Sequence, residues 1–385
     1  MFPLMPVFPP ASLVHGRGAP ANNLSQRFDR IVREADGDWL DAERTFADRT
    51  GTLVREDAAD PYDPERANIG PAAPRTEVSI EKPKTAITRN QSPDVPFDRS
   101  INAYRGCEHG CVYCFARPTH AYLGLSPGQD FETRLTAKPD IPALLRRELS
   151  KPNYQCRPIA LGTNTDPYQP IEARYRITRG ILKVLENTGH PVTITTKSAR
   201  VCEDIDILAR MAKRRLAAVM LSVTTLDPRL AGKMEPRASY PARRIAAIRD
   251  LTAAGIPVHV SVSPVIPAIN DHEIEAIVEA AATAGAVGAF SIVVRLPHEV
   301  SPIFREWLAA HFPNRASRVM SHLTEMRGGK DNEADFFKRF QPKGAYAAML
   351  RDRFRKAAAR WGLDGNRLDL STDLFAPPGQ QLKLF

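Results

Sequence analysis

The sequence predicts an α/β protein: an open, incomplete barrel of six strand–helix units, with an irregular extension in front and a helical one behind. Three observations predict it. Six short runs rich in apolar and β-branched residues follow one another after residue 100. Segments with apolar residues three and four apart lie between them. Strands that alternate with helices pair in parallel through right-handed crossovers. Six units fall short of the eight that close a full barrel, so the expected form is a partial, TIM-like (β/α)6 barrel.

In chain order, residues 1–95 read as a weakly ordered N-terminal extension, because proline and glycine punctuate them and the apolar spacing is irregular. Within it, "LSQRFDRIVREADGDWLDAE" is amphipathic, and "TEVSIEKPKTAITRN" alternates as an extended arm does. The barrel is expected over 96–300. Its strands are "SINAYRG", "PIALGTN", "PVTITTK", "AAVMLSVT", "PVHVSVSPV" and "AFSIVVRL". The helices between them are "IPALLRREL", "ITRGILKVLENTG", "EDIDILARMAKR", "ARRIAAIRDLTAAG" and "DHEIEAIVEAAATAG". Three stop at a glycine (Gly189, Gly255, Gly285), a common helix terminator. Residues 301–376 turn helical, and 377–385 read as a flexible tail behind Pro377, Pro378 and Gly379.

Composition narrows the class. The chain has 385 residues, 43% apolar and 25% charged, as in an ordinary globular protein. No run of eighteen apolar residues is present, so no membrane span is expected. The first residues lack the basic and apolar regions of a secretory signal. Five cysteines, three of them clustered, argue against a disulfide framework and for a reducing, cytoplasmic setting. The net charge is +9, and the first hundred residues are weakly acidic, so the basic excess falls on the body. A basic body favours a polyanionic partner, with nucleic acid foremost.

The chemistry-bearing stretch is "CEHGCVYC". Cys107, Cys111 and Cys114 follow the first strand run at a spacing of C-x3-C-x2-C. Ligands of parallel α/β folds bind at the carboxyl ends of strands, so the loop lies where chemistry is expected. Three thiolates hold three irons of a 4Fe–4S cube and leave the fourth open. An open position marks a catalytic centre and a closed one a structural centre. The competing reading is zinc, with His109 or His120 as the fourth ligand. Polar groups at the ends of later strands would converge on the same site: Thr163, Asn164 and Asp166 after the second, Lys197 after the third, Ser222 and Thr224 at the fourth.

C-x3-C-x-aromatic-C, with Tyr113 as the aromatic, resembles the signature of the radical S-adenosylmethionine (radical SAM) enzymes. The resemblance implies a partial barrel, a 4Fe–4S cluster, and SAM bound through its amine and carboxylate to the open iron. It also implies an electron donor, cleavage of the SAM carbon–sulfur bond and hydrogen abstraction from substrate. Over residues 96–300, "YRGCEHGCVYCFARPTH", "TDPYQP", "TTKS" and "EPRASYPARRIAAIRDLTAAGIPVHVSVSPVIPAIND" resemble the spore photoproduct lyase branch, a DNA-repair-like group. That implies Asp166, Lys197 and Ser222 near the SAM methionine, and Glu235 and Arg237 as catalytic-side residues near the mouth. One departure stands out. The lyase places a hydrogen-donating cysteine just before its Thr-Ser-Asp, whereas here Gly162-Thr163-Asn164-Thr165-Asp166 has none. No second cysteine cluster is present, which disfavours sulfur insertion.

Three functions therefore compete: radical SAM chemistry on nucleic acid, the same chemistry on a peptide or small metabolite, and a zinc-stabilised non-catalytic adaptor. The last residues bear on partners. Gln381, Leu382, Leu384 and Phe385 resemble the Q-L-x-L-F peptide by which bacterial DNA-processing proteins dock on the replication sliding clamp.

Overall fold

The computed structural model describes residues 17–28, 75–365 and 368–379. Most of "LSQRFDRIVREADGDWLDAE" and the terminal Gln381, Leu382, Leu384 and Phe385 lie outside the described residues.

The six expected strands are present as β3 (Arg99–Ile101), β6 (Ile159–Leu161), β7 (Val192–Thr196), β8 (Ala217–Ser222), β9 (Val258–Val265) and β10 (Gly288–Val293). They lie side by side in sequence order and pair in parallel. A short strand, β2 (Thr88–Arg89), adds to β3 in antiparallel fashion and makes seven strands in all. The apolar runs form central strands because both faces are covered. In β8 only Met220 is not buried, and in β9 only Ser263. Helices over Ile177–Asn187, Ile205–Lys213, Pro241–Ala253 and Ile274–Thr283 lie between successive strands from β6 to β10. One large apolar cluster joins strands and helices. Gly189, Gly255 and Gly285 end their helices as expected, with the next amide bonded back to Leu185, Leu251 and Ala281.

The first expected strand is a correction. "SINAYRG" does not run as one element. Only its start joins the barrel sheet. Tyr104–Arg105 (β4) pairs instead with β5 (Arg134–Ala137), antiparallel, in a second sheet with β1 (Glu77–Ile80). The chain leaves the barrel between the two pieces, which carries the cysteines out over its rim.

Two described parts of the N-terminal extension pack on the body. Residues 17–19 are buried, and "TEVSIEKPKTAITRN" supplies β1 and β2. Behind the barrel, helices span Val300–His311, Pro313–Glu325 and Ala345–Arg360. Trp307 is fully buried and donates from its indole to Lys233 O at 2.9 Å. Ala376 N donates to Thr188 O at 2.9 Å, so the described chain ends near the amino ends of the strands. Among the described residues no helix is long and apolar enough to cross a membrane.

Candidate active site

The cysteine loop leaves β4 at Gly106 and is fixed from all sides. Cys107 N donates to Phe131 O at 2.9 Å and Val112 N to Met234 O at 3.1 Å. Arg117, with no exposed surface, donates to Cys111 O (2.9 Å), Gly110 O (3.1 Å), Pro127 O (3.0 Å) and Gly128 O (2.8 Å). It also pairs with Glu132 at 2.5 Å, equally buried. Glu132 in turn accepts the amides of Gly18 (2.9 Å) and Ala19 (2.8 Å). A buried pair of this kind is costly to break, because the partner left behind keeps its charge without water. The N-terminal residues therefore lie against the loop, backbone on backbone. A Cβ on Gly18 would stand 1.7 Å from Gly110 O, so only glycine fits. Arg17 donates to Glu132 O (2.9 Å) and Thr76 (3.0 Å), Thr76 donates to Glu108 (2.6 Å), and Arg237 pairs with Glu108 at 3.2 Å. Gln169 fastens the other side, bonding Gly106 O and the Glu108 amide.

Cys107, Cys111 and Cys114 are free thiols, the first two buried and the third half-buried. Burial, then the negative Asp166 and the neighbouring cysteines, push Cys107 well above the usual thiol range. Burial likewise pushes Cys111 up, against the opposing pull of Lys197. Such thiols give up their protons when a metal centre supplies the compensating charge. A cube takes each thiolate at a different iron, and three free thiols on one loop, near enough to act on one another electrostatically, are a donor set of that chemistry. Of the histidines named as zinc ligands, His109 Nδ1 faces Asp166 at 3.3 Å, and His120 Nε2 meets Arg134 O at 3.1 Å while its buried Nδ1 has no hydrogen-bond partner.

The strand ends meet this loop. Gly162, at φ +84°, brings the end of β6 against β7, where a Cβ would stand 1.9 Å from Thr195 O. Thr163 and Asn164 follow, half-buried. Asp166 accepts from Thr196 Oγ1 (2.6 Å), the Lys197 amide (2.8 Å) and the Tyr168 amide (2.9 Å). Burial raises its pKa, but His109 and these donors outweigh that and hold it at about 2. Its oxygens are thus occupied by the protein, and its placement is that of a brace between β6, β7 and His109. Lys197 lies over the Tyr113 ring, 5.7 Å from its centroid. Ser222 and Thr224 are buried at the end of β8, and Thr224 Oγ1 has no hydrogen-bond partner. Asn270 ties the ends of β8 and β9, donating to Thr224 O (2.7 Å) and Pro264 O (2.9 Å).

Glu235, expected near the mouth, is buried against Tyr113 of the cysteine loop. It is 1% exposed and sits between the Tyr113 hydroxyl and the Arg244 guanidinium, each of which donates to it. Burial raises its pKa against the opposing charge of Arg244. Arg244 also donates to Ser222 O (3.0 Å) and Ser239 O (2.7 Å). Glu235 therefore ties Tyr113, and with it the cysteine loop, to Arg244. Arg237 is partly exposed and bonds the loop through its amide to His109 O at 3.3 Å.

Sequence reasoning missed Arg117, Glu132, Gln169, Arg244 and Asn270. Four of these stand inside the stretches that carried the family resemblance. Glu132 lies outside them, and no local pattern distinguishes it from a solvated glutamate.

Comparison with known proteins bears on the family and the fold. Residues 101–281 match the family model described as the radical SAM superfamily. An uncharacterized protein of Mycobacterium tuberculosis is 36% identical over 276 residues, 71% of this chain and 77% of its own. One from Methanocaldococcus jannaschii is 27% identical over 199 residues, 52% of this chain and 71% of its own. Among solved structures, spore photoproduct lyase complexed with dinucleoside spore photoproduct shares the fold. Its TM-score is 0.52 at 16% identity, covering 74% of this chain and 79% of that one. A variant of the same lyase with bound AdoMet and dinucleoside spore photoproduct scores alike. The chain belongs to the radical SAM superfamily. It is accordingly an enzyme whose cofactors are a 4Fe–4S cluster and SAM.

Proposed function

We propose that Cys107, Cys111 and Cys114 hold the cluster, that the ends of β6 to β8 hold SAM, and that the substrate is nucleic acid. The observation that carries the first part is the loop itself. Three free thiols are gathered on backbone that Arg117, Glu132 and Gln169 fix, at the rim where the strands end. Bound there, the cofactor pair supplies an electron for carbon–sulfur cleavage and an alkyl radical for hydrogen abstraction. The chain's own residues do the rest. Lys197 offers a cation to the SAM carboxylate, and Thr163, Asn164, Ser222 and Thr224 offer neutral polar groups. Thr224 Oγ1, buried without a partner, is the clearest of these. Asp166 and Glu235 position Lys197 and Tyr113.

Two facts support nucleic acid as substrate. The chain carries a net charge of +9, and the lyase with the same fold is seen with a dinucleoside photoproduct. The reaction need not be the lyase's own. Cys156 precedes β6 at the far end of the barrel, and Cys202 lies in the turn that follows β7, near Asp250. Neither takes the place of a donor beside Thr163. Reconstituted protein titrated with single- and double-stranded oligonucleotides tests the substrate class. Affinity that falls steeply with salt supports it. A protein that ignores nucleic acid while cleaving SAM in the presence of a peptide would overturn it.

A further inference from the structure

The open side of the incomplete barrel lies between its first and last strands, the β2–β3 pair and β10. A segment of the C-terminal extension bridges that side. Asp94, in the turn between β2 and β3, accepts from Arg339 Nε (2.8 Å) and a terminal nitrogen (2.5 Å) and from the Phe337 amide (3.0 Å). Arg339 stacks on Phe336 (4.9 Å) and Phe340 (5.0 Å). Arg295, two residues past β10, stacks on Phe340 as well (4.8 Å). The result is a ladder of alternating aromatic rings and guanidinium groups along the open edge.

Its two ends are unfinished. Arg295 has a buried Nε without a hydrogen-bond partner, and among the described residues it forms no ion pair. Burial and the nearby Arg339 hold its pKa below the usual range, against the opposing pull of Asp94. At the other end, Phe336 and Phe337 are 50% and 59% exposed. Phe337 has φ +65°, a backbone conformation that bulky residues avoid and that tends to mark functional positions. Two exposed rings and a guanidinium whose buried Nε lacks a hydrogen-bond partner thus stand in one row.

We infer that this edge is a nucleotide subsite, with Arg295 taking a backbone phosphate and Phe336 and Phe337 stacking on unpaired bases. The inference rests on the nucleic-acid reading above and specifies the form of the ligand: a single strand or a locally unstacked one. Guanidinium–phosphate bonding and base–aromatic stacking are the two terms from which proteins build such sites. The position is apt, because Arg295 follows the carboxyl end of β10, where barrel substrates are received.

The test uses the full-length, cluster-loaded protein and dye-labelled single-stranded DNA and RNA of a dozen nucleotides, followed by anisotropy over a range of salt. Arg295→Gln is expected to weaken binding about tenfold and to lower the salt slope by about 0.7, the share of one phosphate on a single strand. Phe336→Ala with Phe337→Ala is expected to weaken binding by about tenfold or more with the slope unchanged. Phe336→Tyr should keep most of the affinity, and Arg295→Lys should keep the slope, so a misfolded variant is told from a lost contact. Arg146→Gln, an exposed arginine on the Ile141–Leu149 helix, serves as the control and should change neither quantity. Parent protein that binds while both sets of variants bind equally well would overturn the subsite and leave the nucleic-acid reading standing. Parent protein that binds neither strand would overturn both.

Discussion

The cysteine loop and the open edge of the barrel solve opposite problems. Around the loop, Arg17, Arg117, Glu108, Glu132 and Arg237 each have a partner inside the protein. At the edge, Arg295 stacks on Phe340 but has no hydrogen-bonded or ion-pair partner among the described residues, and two phenylalanines face solvent. A cofactor that must hold one position needs backbone that cannot move, and satisfied charges supply that rigidity. A substrate that comes and goes needs groups left unsatisfied until it arrives. The contrast teaches that the polar accounting of a site, rather than its residue types, separates scaffold from contact surface.

The sharpest way to break the comparison is at the thiols. Replacing Cys107, Cys111 and Cys114 together with alanine should remove nearly all iron and acid-labile sulfide after anaerobic reconstitution, while circular dichroism stays that of the parent. Retained iron would mean that the loop is not the cofactor's seat. Next comes the buried pair. Glu132→Ala leaves Arg117 charged and buried, and should cost about 3–5 kcal/mol in denaturant unfolding. A loss below about 1 kcal/mol would mean that the loop does not depend on it.

A pH experiment sharpens the same contrast. Glu172 lies buried beneath the loop, accepting from the Tyr104 hydroxyl and the Thr178 amide. Burial pushes its carboxyl up to about 7 against these hydrogen bonds. The folded state then keeps a proton that the unfolded chain has lost, so this contribution is present below the ordinary carboxylate range and fades as pH rises toward 7. Across that window parent and Glu172→Gln should diverge by about 3 kcal/mol, with the variant the flatter of the two. Parallel pH profiles would show that Glu172 ionises normally. The smallest effect belongs to the edge. Phe336→Ala with Phe337→Ala should leave stability within about 0.5 kcal/mol of the parent, as exposed positions do. A larger loss in thermal or denaturant unfolding would make the two rings part of the core.

Much of this molecule was legible in its sequence, for physical reasons that differ by region. The six β-branched runs announced the parallel strands because strands buried on both faces tolerate little else. The thiol spacing announced the cofactor because few chemistries need three cysteines in eight residues. "SINAYRG" misled, since its alternation suits either of the two sheets that divide it. The packing of residues 17–19 on the loop was illegible: it depends on Gly18 meeting Gly110 and on amides meeting Glu132, and neither contact has a period. Asp166 was expected near the SAM methionine and Glu235 as a catalytic residue near the mouth; the protein groups that each of them bonds are brought near only by the fold. Arg295 was passed over because one arginine after a strand reads as a solvated charge. Its half-buried place, with a buried Nε that has no hydrogen-bond partner, is encoded by no local pattern and is what makes it informative.

The most direct test of the central claim is product analysis. Protein with a reconstituted cluster, reduced and incubated with SAM, should yield 5′-deoxyadenosine, and the variant lacking Cys107, Cys111 and Cys114 should yield none. No 5′-deoxyadenosine from the fully loaded parent, or equal amounts from parent and variant, would contradict the assignment of these thiols to radical chemistry.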